Sequence, residues 1–353
     1  MRHLLALLAA LLAAVPALAQ DWATKEICTV SRPTIQDQVF DPPGRAVLEA
    51  EAAKIANRRG RFWQIAGPEG QLSHLWGTFH SSDPLILDLP DAVREAIAGA
   101  RVVAVEVDYV LKSREAYRDA QLFDGWFKDP SDAFNFDDPG DGRIADLPLE
   151  ISDWIRDRAF EAGYTEDADL ILSKGGLVSM LLADPCEDFA GGVLPIQDDY
   201  VQLLGRLAGA QILGLETQKE FLDDLNAPGA EATADAIIAV YAAYLKPVTS
   251  NAERATWFGL YREGRLGLMT TWDAAYLSDV LGEKGEDARR RTEDYLITAR
   301  NLRFMERLAG ELSEGGVFIA VGAGHLPGDE GLVSMLRAQG YDVTRLPLPG
   351  EAE

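Results

Sequence analysis

The pattern of apolar and polar positions places strands at the two ends of the chain and helices between them. Residues 317–321, Val-Phe-Ile-Ala-Val, form a continuous apolar run with β-branched members, the pattern of a buried strand. The glycines of the following Gly322-Ala323-Gly324-His325-Leu326-Pro327-Gly328 let the chain turn sharply. Residues 101–107 (RVVAVEV) and 211–216 (QILGLE) predict two more strands, carrying Glu106 and Glu216 near their C-terminal ends. A hairpin is predicted for 61–66 and 71–76 around Gly67-Pro68-Glu69-Gly70, and a last strand over 341–346. Helices are predicted over 45–59, ended by Gly60, and over 91–100, 111–121, 149–162, 166–183, 198–208 and 329–338, with long helical stretches filling 218–313. Thr217 and Glu220 have the spacing of a capping box. Residues 20–43 read as irregular, 185–196 as a loop, and the acidic stretch 124–148 as a surface excursion or lid. The expected fold class is α/β: a central mixed β-sheet flanked by helices, with a large helical middle section. No tandem repeat is visible, so the sheet must be assembled from segments distant in sequence.

The first residues change the reading of what is folded. Arg2, the apolar run from Leu4 to Val15 and Ala17-Leu18-Ala19 have the layout of a secretory signal peptide cut after Ala19. A membrane anchor is the alternative, but the apolar run is short for one. The expectation is an exported protein, periplasmic or secreted, with residues 20–353 as one domain and no stable membrane span in the mature chain. The formal net charge is −24, or −25 once Arg2 is removed, which argues against nucleic-acid binding, since phosphate contacts need clustered Lys and Arg. Cys28 and Cys186 are the two cysteines. In an oxidising compartment they are expected to form one long-range disulfide, with two free buried thiols as the alternative.

Candidate chemistry gathers at the strand ends. Leu75-Trp76 leads into Gly77-Thr78-Phe79-His80, an echo of the Gly322–His325 turn, so two of the three histidines left after the signal peptide close a strand-Gly-x-x-His pattern. Open α/β sheets bind ligands beyond the C-terminal ends of their strands. His80, Glu106, Glu216 and His325 are therefore candidates for one site. Imidazoles with carboxylates suit divalent Mn, Fe, Co or Zn, and the same groups serve as general acid and base without a metal. Each also has an ordinary reading: a hydrogen-bonded structural histidine, a glutamate paired with arginine or capping a helix. His74 reads as a strand packing residue, Asp108 as a loop-start carboxylate, Trp76 as core, and Arg300-Asn301 by default as solvated.

These motifs resemble the TraB/GumN family, related to the Tiki metalloproteases and more distantly to erythromycin-esterase and ChaN-like proteins. The matching stretches are HLWGTFHSSDP (74–84), RVVAVEVD (101–108), ILGLETQKEF (212–221), Arg300-Asn301, and FIAVGAGHLPGDEGLVSMLRAQGYDV (318–343), in the family's order. The resemblance implies a site carried by His80, Glu106 and His325, with Gly77, Gly322 and Gly324 shaping its loops and Glu216, Arg300 and Asn301 beside it. It implies a divalent metal (Mn, Co or Zn) held by His80, Glu106 and His325, and a peptide or protein substrate. Asp198-Asp199, after Pro195-Ile196-Gln197, stands where the family has a Gly-x-Asp pattern, and the glycine is missing. The expected function is a metal-dependent hydrolase. Arg300 would stabilise developing negative charge and Asn301 would orient it. The alternatives are a metal-free esterase using the same residues and a non-catalytic binding protein for a peptide, haem or polysaccharide component.

Overall fold

The computed structural model describes residues 25–108, 144, 146–164, 171–186 and 195–351. The expected signal peptide, the helix expected at 111–121 and most of the acidic stretch expected as an excursion at 124–148 lie outside these residues. Six strands form one mixed sheet: β1 Phe62–Ala66, β2 Leu72–Thr78, β3 Val102–Val107, β4 Gln211–Glu216, β5 Val317–Gly322 and β6 Asp342–Arg345. Their order is β4-β3-β5-β2-β1-β6. The expected hairpin is present, with β1 antiparallel to β2 in the register Phe62↔Trp76 and Gln64↔His74, and β6 antiparallel to β1 on its other side. The remaining pairs are parallel: β2 with β5, β5 with β3, and β3 with β4.

This order puts β5, near the C-terminus of the chain, between β2 and β3. Leu75 and Ala104 both face Ile319 across the ladders. Val317–Gly322 is buried throughout, as are Val102–Val105, because helices cover the sheet and leave no alternation of polar positions. Helix Gln197–Ala208 packs on β3, β4 and β5, while helix Arg300–Glu314 packs on β3, β4 and helix Leu332–Ala338. The sheet core includes Trp76, Val103, Phe304, Phe318 and Leu336. A second apolar cluster joins helices Leu149–Glu161, Lys174–Leu181, Gln218–Asn226 and Glu231–Ala243. The capping box at Thr217 is formed: its hydroxyl accepts from Glu220 N at 3.1 Å, and its N–H donates to the Glu220 carboxylate at 2.8 Å.

Four helical stretches differ from expectation. Within 172–186, the helix expected over 166–183 begins at Lys174, because the Ser173 hydroxyl caps it by accepting from Gly176 N at 2.9 Å. The helix expected over 45–59 ends at Ala52. Beyond it the carbonyls of Ala56 and Arg58 accept from Gly328 N and Gly267 N, each at 2.8 Å, so this segment caps two other elements instead of continuing its own helix. The helix expected from 329 begins at Leu332, because a tight turn closes from Gly331 N to Gly328 O. The stretch 218–313 contains a π-helical turn, Asp294–Ala299, immediately before Arg300.

Cys28 and Cys186 are joined in a disulfide across a sequence separation of 158, as expected. A cross-link over so long a loop restricts the unfolded chain strongly, by about 3–5 kcal/mol. The double variant Cys28→Ser/Cys186→Ser is expected to lose stability of that order in chemical denaturation. A loss below about 1 kcal/mol would show that the bridge does not constrain the unfolded state as this loop length requires.

Candidate active site

Four parallel strands in a row, β4-β3-β5-β2, end on the same edge of the sheet. Their C-terminal ends carry Glu216, Glu106, the Gly322–His325 turn and the Gly77–His80 turn. The topology thus brings together residues from opposite ends of the chain.

The first turn is anchored from below. Gln197 is buried, and its Oε1 lies 3.3 Å from Trp76 Nε1, 3.2 Å from Phe79 N and 2.7 Å from the Tyr261 hydroxyl. Its amide nitrogen donates to Ile86 O. The next residue, Asp198, accepts from Thr78 Oγ1 at 2.6 Å and from His80 Nδ1 at 2.9 Å. A carboxylate can only accept, so Nδ1 carries the proton and His80 turns its Nε2 towards Glu106, 3.9 Å away. His80 remains 47% exposed on its side chain. Burial opposes its charge, but Asp198 and Glu106 outweigh that, and its pKa is pushed up to about 9. Asp199 accepts from Ile196 N at 3.3 Å; burial and neighbouring Asp198 push its pKa up to about 6.

The second turn is held differently. His325 is buried and its Nδ1 lies 2.7 Å from Asn301 Oδ1. Asn301 Nδ2 donates to Glu330 O at 2.9 Å and to His325 O at 3.3 Å, which fixes the amide with its oxygen towards the ring. His325 therefore donates through Nδ1–H and presents the Nε2 lone pair, 3.6 Å from Glu106 Oε1. Burial drives its pKa down to about 3 against the pull of Glu106, so the ring is neutral near pH 7.

Glu106 stands between the two histidines. Its Oε1 accepts from Gly322 N at 2.6 Å and its Oε2 from Arg300 Nη2 at 2.6 Å. Burial raises its pKa, but Arg300, His325, His80 and the Gly322 N–H outweigh it and hold the carboxyl well below the usual range. Arg300 also donates from Nε to Glu216 Oε1 at 2.8 Å and lies over the Phe304 ring at 5.2 Å. Glu216 is fully buried and also takes Arg303 at 3.2 Å; burial raises its pKa, while the two arginines oppose that. Arg300 and Asn301 are thus buried rather than solvated. Most Arg300 donors are engaged by Glu106 and Glu216; Nη1 has the long contacts, 3.4 Å to Leu296 O and 3.5 Å to His325 Nε2.

Among the described residues, the histidine and carboxylate donors lying within 4.8 Å of one another are His80, Glu106 and Asp198. His325 touches Glu106 but falls outside this set. Asp198 and Gln197 belong to the site although no motif in the sequence marks them as its residues. The signal available was two acids opening a helix after Pro195. His74, as expected, is a packing residue, stacked on Phe62 at 5.4 Å. Asp108 accepts from Gln202 and Arg206, each at 2.6 Å.

The glycines are not equivalent. A Cβ on Gly322 would meet His80 Nε2 at 2.9 Å and Glu106 Oε1 at 3.2 Å, and one on Gly77 would meet Ala323 Cα at 3.0 Å. At Gly324 the nearest atom is Ile297 Cδ1 at 3.6 Å, an ordinary contact, so its expected shaping role has no steric basis. Gly322→Ala is expected to displace His80, seen as a shift of its ring resonances, while Gly324→Ala leaves them in place. Equal shifts in both variants would contradict this account.

The two histidines set opposite pH slopes. His80, raised from 6.5 to about 9, contributes stability that is complete below pH 6.5 and is lost as pH rises through 9. His325, lowered from 6.5 to about 3, makes stability fall as pH drops below 6.5 towards 3. Denaturation in chelator across this range should show the alkaline slope flattened in His80→Gln and the acid slope flattened in His325→Gln. Unchanged slopes in both variants would refute the assignment.

A family model described as the TraB/PrgY/gumN family matches residues 61–126 and 177–345, more than half of the chain. Comparison with curated proteins and comparison with solved structures each returned no match.

Proposed function

The chain belongs to the TraB/PrgY/gumN family, and from that premise we propose that it is an exported metal-dependent hydrolase acting on peptide amide bonds. The observation that carries the reading is the convergence of His80, Glu106 and Asp198 within 4.8 Å, beside the neutral His325. The donors are imidazole and carboxylate without thiolate, a set suited to Mn, Co or Zn. The charge fits as well: with His80 neutral as a ligand, Glu106, Asp198 and Glu216 against Arg300 and Arg303 give a formal −3 + 2 = −1. His80, through Nε2, and Glu106 would hold the ion, while Asp198 takes the Nδ1–H of His80 and so orients the ring. Bound there, a divalent ion would polarise the scissile carbonyl.

The other steps belong to side chains. His325 Nε2 would accept a proton from the attacking water as its oxygen bonds to the carbonyl carbon and return it to the amine nitrogen as the C–N bond breaks; the buried, weakly basic ring holds that proton only in transit. Asn301 keeps the ring in the tautomer this requires. Arg300 Nη1, with only long contacts, faces the same space and offers a donor to a developing oxyanion. Export is supported by the signal-like N-terminus and by the disulfide, which suits an oxidising compartment. Among the described residues no helix is long and apolar enough to cross a membrane.

A peptide library is to be incubated with chelated protein and with protein reloaded with Mn, Co or Zn. Cleavage is expected only after reloading. Asp198→Asn is expected to weaken metal affinity by about 10–100-fold. His325→Gln is expected to retain the metal and lose about 10²–10⁴-fold in kcat. Cleavage in chelator that depends on His325 would favour the metal-free esterase-like reading. Binding of peptide, haem or polysaccharide without turnover would favour the non-catalytic one.

A further inference from the structure

The chain carries 57 acidic residues against 33 basic ones, yet it collects arginines at one place away from the strand-end site. A half-open recess of about 150 Å³ is lined by Arg58, Arg59 and Arg265 with Glu49, Ala52, Ala53 and Leu268. Arg265 is paired, at 2.7 Å to Glu263 and 3.3 Å to Glu49. Glu49 is also held by Arg45 at 3.0 Å. Among the described residues, Arg58 and Arg59 have no ion pair. Arg59 is half-buried, and its pKa is lowered by burial and then by repulsion from Arg265, Arg58 and Arg345, with Glu49 alone opposing.

The backbone on both sides of Arg59 is fixed. Arg58 O accepts from Gly267 N and Gly60 N donates to Gly264 O, each at 2.8 Å. A Cβ on Gly267 would lie 2.6 Å from Arg58 Cβ, so the segment sits tightly on the start of helix Leu266–Leu281. The two unpaired guanidiniums are therefore presented on a held backbone, which lowers the cost of ordering them around a ligand.

We infer that this recess binds the phosphate group of a small phosphorylated ligand, Arg58 and Arg59 donating to the phosphate oxygens while Ala52, Ala53 and Leu268 receive an adjoining apolar portion. Guanidinium forks match phosphate oxygens in pairs, and three arginines around one recess offer more donors than the two oxygens of a carboxylate use. The site is independent of the His80–His325 machinery, so neither reading stands or falls with the other.

Calorimetric titration of the full chain at low ionic strength, with inorganic phosphate, phenyl phosphate and acetate as probes, tests the inference. Saturable phosphate binding with a Kd on the order of 1 mM or tighter is expected, stronger for phenyl phosphate, weaker for acetate and falling with added salt. Arg58→Ala/Arg59→Ala should weaken it at least about tenfold, a loss of about 1.4 kcal/mol. Arg290→Ala, which removes an exposed and paired arginine, should leave it unchanged. If the double variant does not fold by circular dichroism, the exposed single change Arg58→Gln replaces it, with a several-fold weakening expected. Absence of saturable binding in the wild type, equal affinity in the arginine variants, or acetate binding as tightly as phosphate would overturn the inference.

Discussion

The buried guanidinium of Arg300 is the interaction on which the site depends. It joins Glu106 at the end of β3 to Glu216 at the end of β4, and lies against the Phe221 and Phe304 rings. Two carboxylates at neighbouring strand ends would repel each other in a region closed to water. With Arg300 between them they become a fixed acceptor set, at a desolvation cost recovered through hydrogen bonds to both partners. Removing one member of such a buried set leaves an uncompensated charge, typically a loss of about 3–5 kcal/mol. The π-helical turn at Asp294–Ala299 sits directly before Arg300 and Asn301. Such turns shift the register of a helix and are frequent at functional sites. Here both residues face inward, one to the carboxylates and the other to His325.

The two Gly-x-x-His turns look alike in sequence and differ in physics. His80 is half exposed and clamped by a carboxylate, which favours its charged form. His325 is buried and clamped by a neutral amide, which favours its neutral form. Glu106 lies within 4 Å of both. Pairs of titratable groups whose surroundings push their pKa values apart are the usual mark of divided acid and base roles. A divalent cation replacing the proton on His80 would add one positive charge beside Glu106 and Asp198 and leave His325 free to move protons.

Much of this was legible in the sequence. Continuous apolar runs placed β3 and β5 to within a residue, because strands covered on both faces have few polar positions to blur the signal, while turn signals and mixed apolar patterns placed the other four to within two residues. The glutamates and histidines could be placed at strand ends because each run stopped beside one. The adjacency of β5 to both β2 and β3 was not legible, since it depends on pairing between segments more than two hundred residues apart. Burial of Arg300 and Asn301 was not legible either, because a helix rich in charge reads as solvated until the partners of its inward face are known. Asp198 was overlooked for the same reason: its partners, Thr78 and His80, lie about 120 residues away. The helix at 45–59 was over-extended because local propensity carries no trace of the amides of Gly267 and Gly328, which take the carbonyls of Arg58 and Ala56.

The central claim is that the ends of four parallel strands converge on a cation-holding cluster with a separate neutral imidazole beside it. Crystals soaked in Co or Mn and measured for anomalous scattering test this most directly. The account predicts one strong peak at about 2.0–2.2 Å from both His80 Nε2 and a Glu106 oxygen, with His325 still bonded to Asn301. A peak bonded to neither of these residues, or none in fully soaked crystals with His80 and Glu106 in place, would contradict it.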